Sequence, residues 1–288
     1  MSKTKKETLF SENYCHKKKS SICSYIKRKW QLYFMLLIPL LFLILFKYVP
    51  IYGTIIAFKD YRVVDGILGS PWAANHGLEN FIRFFTNYNF ISVVKNTLVL
   101  SVYSIIVSLP TSIIFALILN YARNIKLMKT VQMLSYAPHF ISTVVFVGMM
   151  NMIFDARTGI LGKVIYEILG INVLATEGLF STLYVWSGVW KDMGYGAVIY
   201  IAALASVDPQ QHEAAIIDGA SVIQRIHYVD IPNILPTITI MLILNMGNVL
   251  GMDYEKVYAM QNQHNISVSE IISTYSYKVG LVGLYPDF

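Results

Sequence analysis

The chain has 288 residues, of which 55% are hydrophobic and 14% charged, with a mean hydropathy of +0.52, whereas a soluble domain carries about 25% charged residues. At about 20 residues per bilayer span, the length has room for about five or six membrane helices, and the composition excludes a soluble enzyme and a disordered chain. The net charge of +6 sits at one end: residues 1–29 hold nine Lys or Arg against two Glu, and the remaining 259 residues hold 14 bases against 15 acids.

A basic tail at 1–29 before an apolar chain reads as a cytoplasmic anchor attracted to anionic head groups, because basic segments are retained inside. With no basic surface elsewhere, nucleic acid is excluded as a partner. Cys15 and Cys23 lie in this tail; on the reducing side of a membrane they read as unpaired thiols, without the spaced pairs zinc requires. The first span is expected at 30–58, where only Lys47 interrupts the apolar run, which is too long for the core of a secretory signal. Pro39 and Pro50 are tolerable inside a membrane helix.

Further uncharged windows predict spans at 98–122, 130–154 and 231–252, and the two runs separated by Lys191 and Asp192 predict a fourth element at 179–207. The fold class is all-α, a polytopic transmembrane helix bundle with five spans. The tail and the connection carrying Arg123, Lys126 and Lys129 set the orientation, with the N-terminus cytoplasmic. Alternation then puts 59–90, 155–178 and 253–288 outside and 208–230 inside.

The 208–232 loop is patterned as two short helices. Asp208 before Pro209 is an N-cap followed by proline at the first helical position. Gly219 ends that helix at an elbow where a side chain would clash, Ser221 with Gln224 starts a second as a capping box, and Pro232 stops it. Glu213-Ala214-Ala215, Gly219, Val229, Ile231 and Pro232 resemble the EAA loop of ABC importer permeases, with the spacing kept and conservative replacements at 229 and 231. Phe58-Lys59-Asp60-Tyr61, Gly77-Leu78-Glu79-Asn80-Phe81, Tyr136-Ala137-Pro138-His139-Phe140 and Trp190-Lys191-Asp192-Met193-Gly194 are similar to LplB-type carbohydrate permeases of the type I, MalF-like class.

That resemblance implies a permease domain over 30–288. It also implies that the chain pairs with a second permease, two ATP-binding subunits and an extracellular solute-binding lipoprotein in the lipid bilayer. Glu213, Ala214, Ala215, Asp218, Gly219, Ala220 and Pro232 would then couple to the ATPase rather than catalyse. ATP and magnesium would be bound by that partner, with no cofactor in this chain. The family also has a sixth core span. No apolar run follows Val282, so a chain short of that span is expected, and a truncated, nonfunctional remnant is one alternative reading. A polytopic enzyme acting on lipid-linked sugars is another.

Catalytic motifs dissolve on inspection. His212-Glu213 begins an H-E-x-x-H pattern whose fifth position is Ile216, and Gly159-Ile160-Leu161-Gly162-Lys163 has the wrong glycine spacing for a phosphate loop. Gly247 and Gly251 form a GxxxG, expected to mark a close helix contact. Polar and aromatic groups at mid-span are candidates for the translocation pathway, namely Trp186, Trp190, Lys191, Asp192, Tyr195, Asn245 and Asn248, with His139 and Asn151 beside them. Lys191 and Asp192 point about 100° apart on a helix, so separate partners are expected.

Overall fold

The computed structural model describes residues 28–62 and 64–282, the last two by backbone alone. The basic tail up to residue 27, with both cysteines, lies outside the described residues. The described chain is helical without a strand; a lone bridge joins Lys59 and Trp72. It divides into a unit of residues 1–85 and a unit of residues 86–288.

In the first unit, α1 (Trp30–Leu43) runs on through a π turn (Ile44–Tyr48), a short helical turn (Val49–Ile51) and a 3-10 turn (Tyr52–Phe58) as one apolar helix of 29 residues. The π turn ends two residues before Pro50. Proline removes one ladder donor and crowds the carbonyl four residues back, and the wider i→i+5 turn absorbs both without ending the helix. Beyond it, Lys59 is buried and its ammonium donates to the carbonyls of Ile67 (2.8 Å) and Leu68 (3.1 Å). Asn80, on α2 (Glu79–Thr86), donates to the carbonyls of Ala57 and Lys59.

The second unit is built around α3 (Phe90–Asn120) and α7 (Glu177–Ala205). Between them come α4 (Ile125–Tyr136), a 3-10 turn (Ala137–Phe140), α5 (Thr143–Phe154) and α6 (Ile160–Leu169). After α7 follow α8 (Pro209–Ile217), α9 (Val222–Arg225), a π turn (Ile226–Asp230), α10 (Ile231–Gly247), α11 (Tyr254–Met260) and α12 (Ile272–Tyr277). One core gathers Leu100, Phe146, Met150, Tyr184, Val257 and Ile271; a second gathers Ala116, Ala197, Tyr200, Leu204 and Ile234. Lipid tails are as apolar as these side chains, so close approach and interhelical hydrogen bonds hold such a bundle. A Cβ on Gly194 would sit 2.4 Å from the Ser135 carbonyl oxygen, and one on Gly196 would sit 3.0 Å from Ser112 Oγ. Those glycines let α7 cross α4 and α3.

Several elements differ from the sequence expectation. The 130–154 window is two helices bent by 101°: Pro138 ends the first within a 3-10 turn, and Ser142 caps the second, its Oγ accepting from the Val145 amide. The 98–122 window belongs to a helix that starts at Phe90, because Lys95 faces outward and does not interrupt it. The element expected at 179–207 is not among those that differ: it is one 29-residue helix, Glu177–Ala205. The apolar window ending at 252 is helical only to Gly247, so Gly247 and Gly251 do not share a helix face. A Cβ on Gly247 meets nothing within 4 Å, and the close contacts expected of the GxxxG are made by Gly194 and Gly196 instead. By length and apolarity, three helices among the described residues can cross a membrane, or four with the bent pair.

The glycines of the false phosphate loop have a packing role. A Cβ on Gly162 would lie 2.3 Å from the Phe154 and Asp155 carbonyl oxygens, so α6 folds tightly over the end of α5. Asp155 fixes that turn by accepting from the amide and hydroxyl of Thr158 and the amide of Arg157. These bonds hold its carboxyl below the usual range. The segment after α10 is tied back to α3: Asn96 donates to the carbonyls of Ser267 and Glu270, and Ser101 to Val249. Glu270 and Lys278 form a buried ion pair at 3.0 Å.

Candidate functional site

The elbow between α7 and α10 is set by local chemistry. The Asp208 side chain accepts from the Gln210 amide at 3.0 Å, with Pro209 opening α8. At the other end Gly219 has φ +76, the Ala220 amide donates to the Ala215 carbonyl (2.9 Å) and the Gly219 amide to the Ile216 carbonyl (3.0 Å). This is a Schellman closure. A Cβ on Gly219 would meet nothing within 4 Å; the requirement for glycine is its left-handed backbone, and the expected steric clash is absent. Ser221 Oγ accepts from the Gln224 amide while Gln224 Oε1 accepts from the Ser221 amide at 2.7 Å.

Pro232 does not stop the second helix. The π turn Ile226–Asp230 ends two residues before it, as in α1, and the helix continues unbroken from Val222 to Gly247. The loop is therefore a short helix, a rigid turn, and a second helix that is already the next apolar helix. Glu213, Ala214, Asp218 and Gly219 are exposed, Ala215 and Ala220 half-buried, and Ile216 and Ile217 exposed beside them.

The pathway candidates fall into separate places. Asp192 and Asn245 line a cavity of about 160 Å³ together with Ser108, Ser112, Gly188 and Tyr200, between α3, α7 and α10. Trp186 and Trp190 line a larger, apolar cavity of about 450 Å³ against α5 and α6, with Phe146, Met150 and Leu161. Asp192 is bonded to His139 Nδ1 at 2.8 Å, and the His139 ring stacks on Tyr195 with centroids 3.9 Å apart. Lys191 turns away, donating to Thr143 Oγ1 at 3.3 Å with its ammonium 5.6 Å from the Phe146 ring. Trp190 stacks on Phe146 and Trp186 donates to the Tyr103 hydroxyl. Asn245 and Asn248, the latter just past the end of α10, each donate to a carbonyl of α10, Met241 and Leu244. Asn151 lines a minor cleft with Asn265.

Sequence reading missed the buried base behind the polar cavity. Lys256, on α11, donates to the Tyr184 carbonyl at 2.8 Å and lies 4.5 Å from the Tyr184 ring. A Cβ on Gly188 would lie 3.0 Å from its ammonium. Burial pushes the Lys256 ammonium down to about 8, against the opposing pull of Asp192 and Asp253. It also missed Tyr121, His212 and Asp230, which no local pattern connects; the carboxylate of Asp230 accepts from the Tyr121 hydroxyl at 2.7 Å.

Among the described residues no three His, Cys, Asp or Glu side chains gather into a metal site. A bundle of apolar helices, three or four of them long enough to cross a membrane, with one polar cavity between them and a helical elbow leading into one of those helices, is the architecture of a helical membrane protein.

Residues 90–252 match the family described as "Binding-protein-dependent transport system inner membrane component". The chain is 39% identical over 267 residues to the polygalacturonan/rhamnogalacturonan transport system permease protein YteP of Bacillus subtilis (strain 168), covering 92% of this chain and 82% of that one. Protein LplB of the same organism is 37% identical over 258 residues, covering 89% and 80%. A chain of a bacterial ABC transporter involved in the import of the acidic polysaccharide alginate superimposes with a TM-score of 0.81 at 32% identity, over 92% of this chain and 89% of that one. The chain belongs to this family of transport-system inner membrane components; it is a multi-pass membrane permease and not an enzyme.

Proposed function

We propose that the chain is one permease subunit of an ATP-driven importer of oligosaccharides released from polysaccharides, and that it forms half of the pathway with a second permease. Two ATP-binding subunits, which hold ATP and magnesium, and an extracellular solute-binding lipoprotein complete the assembly in this reading. The relatives' names support the substrate class, since one carries polygalacturonan and rhamnogalacturonan and another the acidic polysaccharide alginate. A related alginate transporter has been solved with a pentasaccharide-bound periplasmic protein. The basic tail favours a cytoplasmic N-terminus.

The single observation that carries the coupling role is the uninterrupted helix from Val222 to Gly247, entered through the Schellman turn at Gly219. An ATPase that grips α8 at Glu213 to Gly219 and shifts it would move α10 with it, because the hydrogen-bonded turn at Gly219 leads directly into the helix that continues as α10. The 160 Å³ cavity beside Asn245 on that helix is the part of the bundle such a movement would reshape. The test is reconstitution of the four-part assembly in liposomes. Hydrolysis of ATP should rise several-fold when a sugar-loaded binding protein is added, and sugar should accumulate inside. Hydrolysis indifferent to the loaded binding protein, with no accumulation, would refute the reading.

A further inference from the structure

The elbow is fastened to the bundle at one buried carboxylate. Asp230 is 0% exposed and stands at the end of the π turn. Its Oδ2 accepts from the Tyr121 hydroxyl at 2.7 Å, at the end of α3. Its Oδ1 lies 3.2 Å from His212 Nε2 on α8, off the hydrogen-bonding direction, so that this oxygen has no aligned donor among the described residues. A second tie runs alongside, with Asn233 Nδ2 donating to Gln211 Oε1 at 2.9 Å.

The π turn explains how the carboxylate comes to be there. In an α-helix two residues five apart lie about 140° around the axis from one another, whereas an i→i+5 turn sets them close to one side. Arg225 and Asp230 flank this turn, and both reach Tyr121: the guanidinium lies 5.4 Å from its ring and the carboxylate takes its hydroxyl. The buried Arg225 Nε also has no partner among the described residues. A buried carboxylate with one oxygen poorly served is costly to keep, and a hydrophobic residue would pack this junction without that cost. What the carboxylate adds is a directional bond from Tyr121 at the end of α3 and a 3.2 Å approach to the His212 ring on α8, both made at the root of α10.

We propose that Asp230 is a positioning residue for transport: through His212 and Tyr121 it locks α8 to the end of α3, so that displacing the elbow moves α3 and α10 together. This rests on the coupling role proposed for the loop. Without the lock, α8 would still be pushed, and the push would reach α10 alone.

The test uses the full assembly in liposomes, with sugar uptake per ATP hydrolysed as the readout and co-purification of the ATPase as the control. Tyr121→Phe removes one hydroxyl, and Asp230→Ala removes the hub. Both should leave the ATPase attached and hydrolysing, while uptake per ATP falls by about ten-fold, within the usual range of coupling between sites. Asp230→Asn keeps an acceptor for Tyr121 and should recover most of the uptake, which a role in stability alone does not require. Unchanged uptake per ATP in Tyr121→Phe, with the ATPase attached, would overturn the proposal even where Asp230→Ala fails to assemble, and would leave the coupling role of the loop standing. Failure of the parent chain to hold an ATPase would overturn both.

Discussion

The amide of Ala220 reaches back across Gly219 to the carbonyl of Ala215 at 2.9 Å, and this bond helps fix the angle at which α8 meets the helix that follows. The turn depends on a left-handed residue at 219, where φ is +76 and the surrounding space is open. Gly219→Ala should therefore fold with a penalty of about 1–2 kcal/mol from backbone conformation alone. Gly219→Asn should cost less, because asparagine visits that region more readily. Thermal unfolding of the detergent-solubilised protein should rank the parent above Asn above Ala; equal midpoints for Ala and the parent would show the turn to be slack.

Gly194 is constrained by space. A methyl group there would be driven into the Ser135 carbonyl at 2.4 Å, where backbone cannot yield cheaply. Gly194→Ala should cost about 1–3 kcal/mol by overpacking, whereas Gly247→Ala, with nothing within 4 Å, should shift stability by less than about 0.5 kcal/mol. Thermal midpoints of the two variants check this, and a larger loss at 247 than at 194 would contradict the crossing.

Lys256 gives the docked α11 a pH dependence. Its ammonium titrates at about 8 in the folded chain against 10.5 ordinarily, so the unfolded segment binds more protons between those values and stability rises with pH across that window. Hydrogen exchange of residues 254–260 should slow, after correction for intrinsic rate, from pH 8 toward pH 10. Lys256→Met should abolish the trend; a trend that persists in Lys256→Met would assign it to another group.

The two cavities offer a test of where the cargo passes. Asn245→Leu fills polar space and removes a group able to bind a hydroxyl, so uptake should fall by about ten-fold, the effect of losing one hydrogen bond to a polar cargo. Trp186→Leu, in the apolar cavity, should leave uptake within about three-fold at matched protein levels, as for a change away from the cargo. The opposite ranking in a transport assay would move the pathway to the tryptophans.

What the sequence made legible was what its chemistry decides within a few residues. Asp208-Pro209, Gly219 and the Ser221/Gln224 pair each announce a cap, and each is found as a cap. Proline was less readable. Pro138 ends a helix, whereas Pro110 and Pro236 sit inside one and Pro232 follows a π turn that carries the helix past it. Hydropathy windows are blind to such differences. Contacts between distant residues, such as Tyr121 with Asp230 or Lys256 with Tyr184, carry no local signal, and the close crossing at Gly194 is invisible until the helices are packed.

The proposed coupling requires a separate ATPase to grip the 208–232 elbow. The most direct measurement is disulfide crosslinking from a cysteine at Ile217, which is 84% exposed, to cysteines placed along the cleft of the ATPase partner in native membranes. An efficient crosslink from the cytoplasmic side is expected, with a yield that changes when ATP binds. A residue 217 labelled only from the outer surface, or never crosslinked to the ATPase, would contradict it.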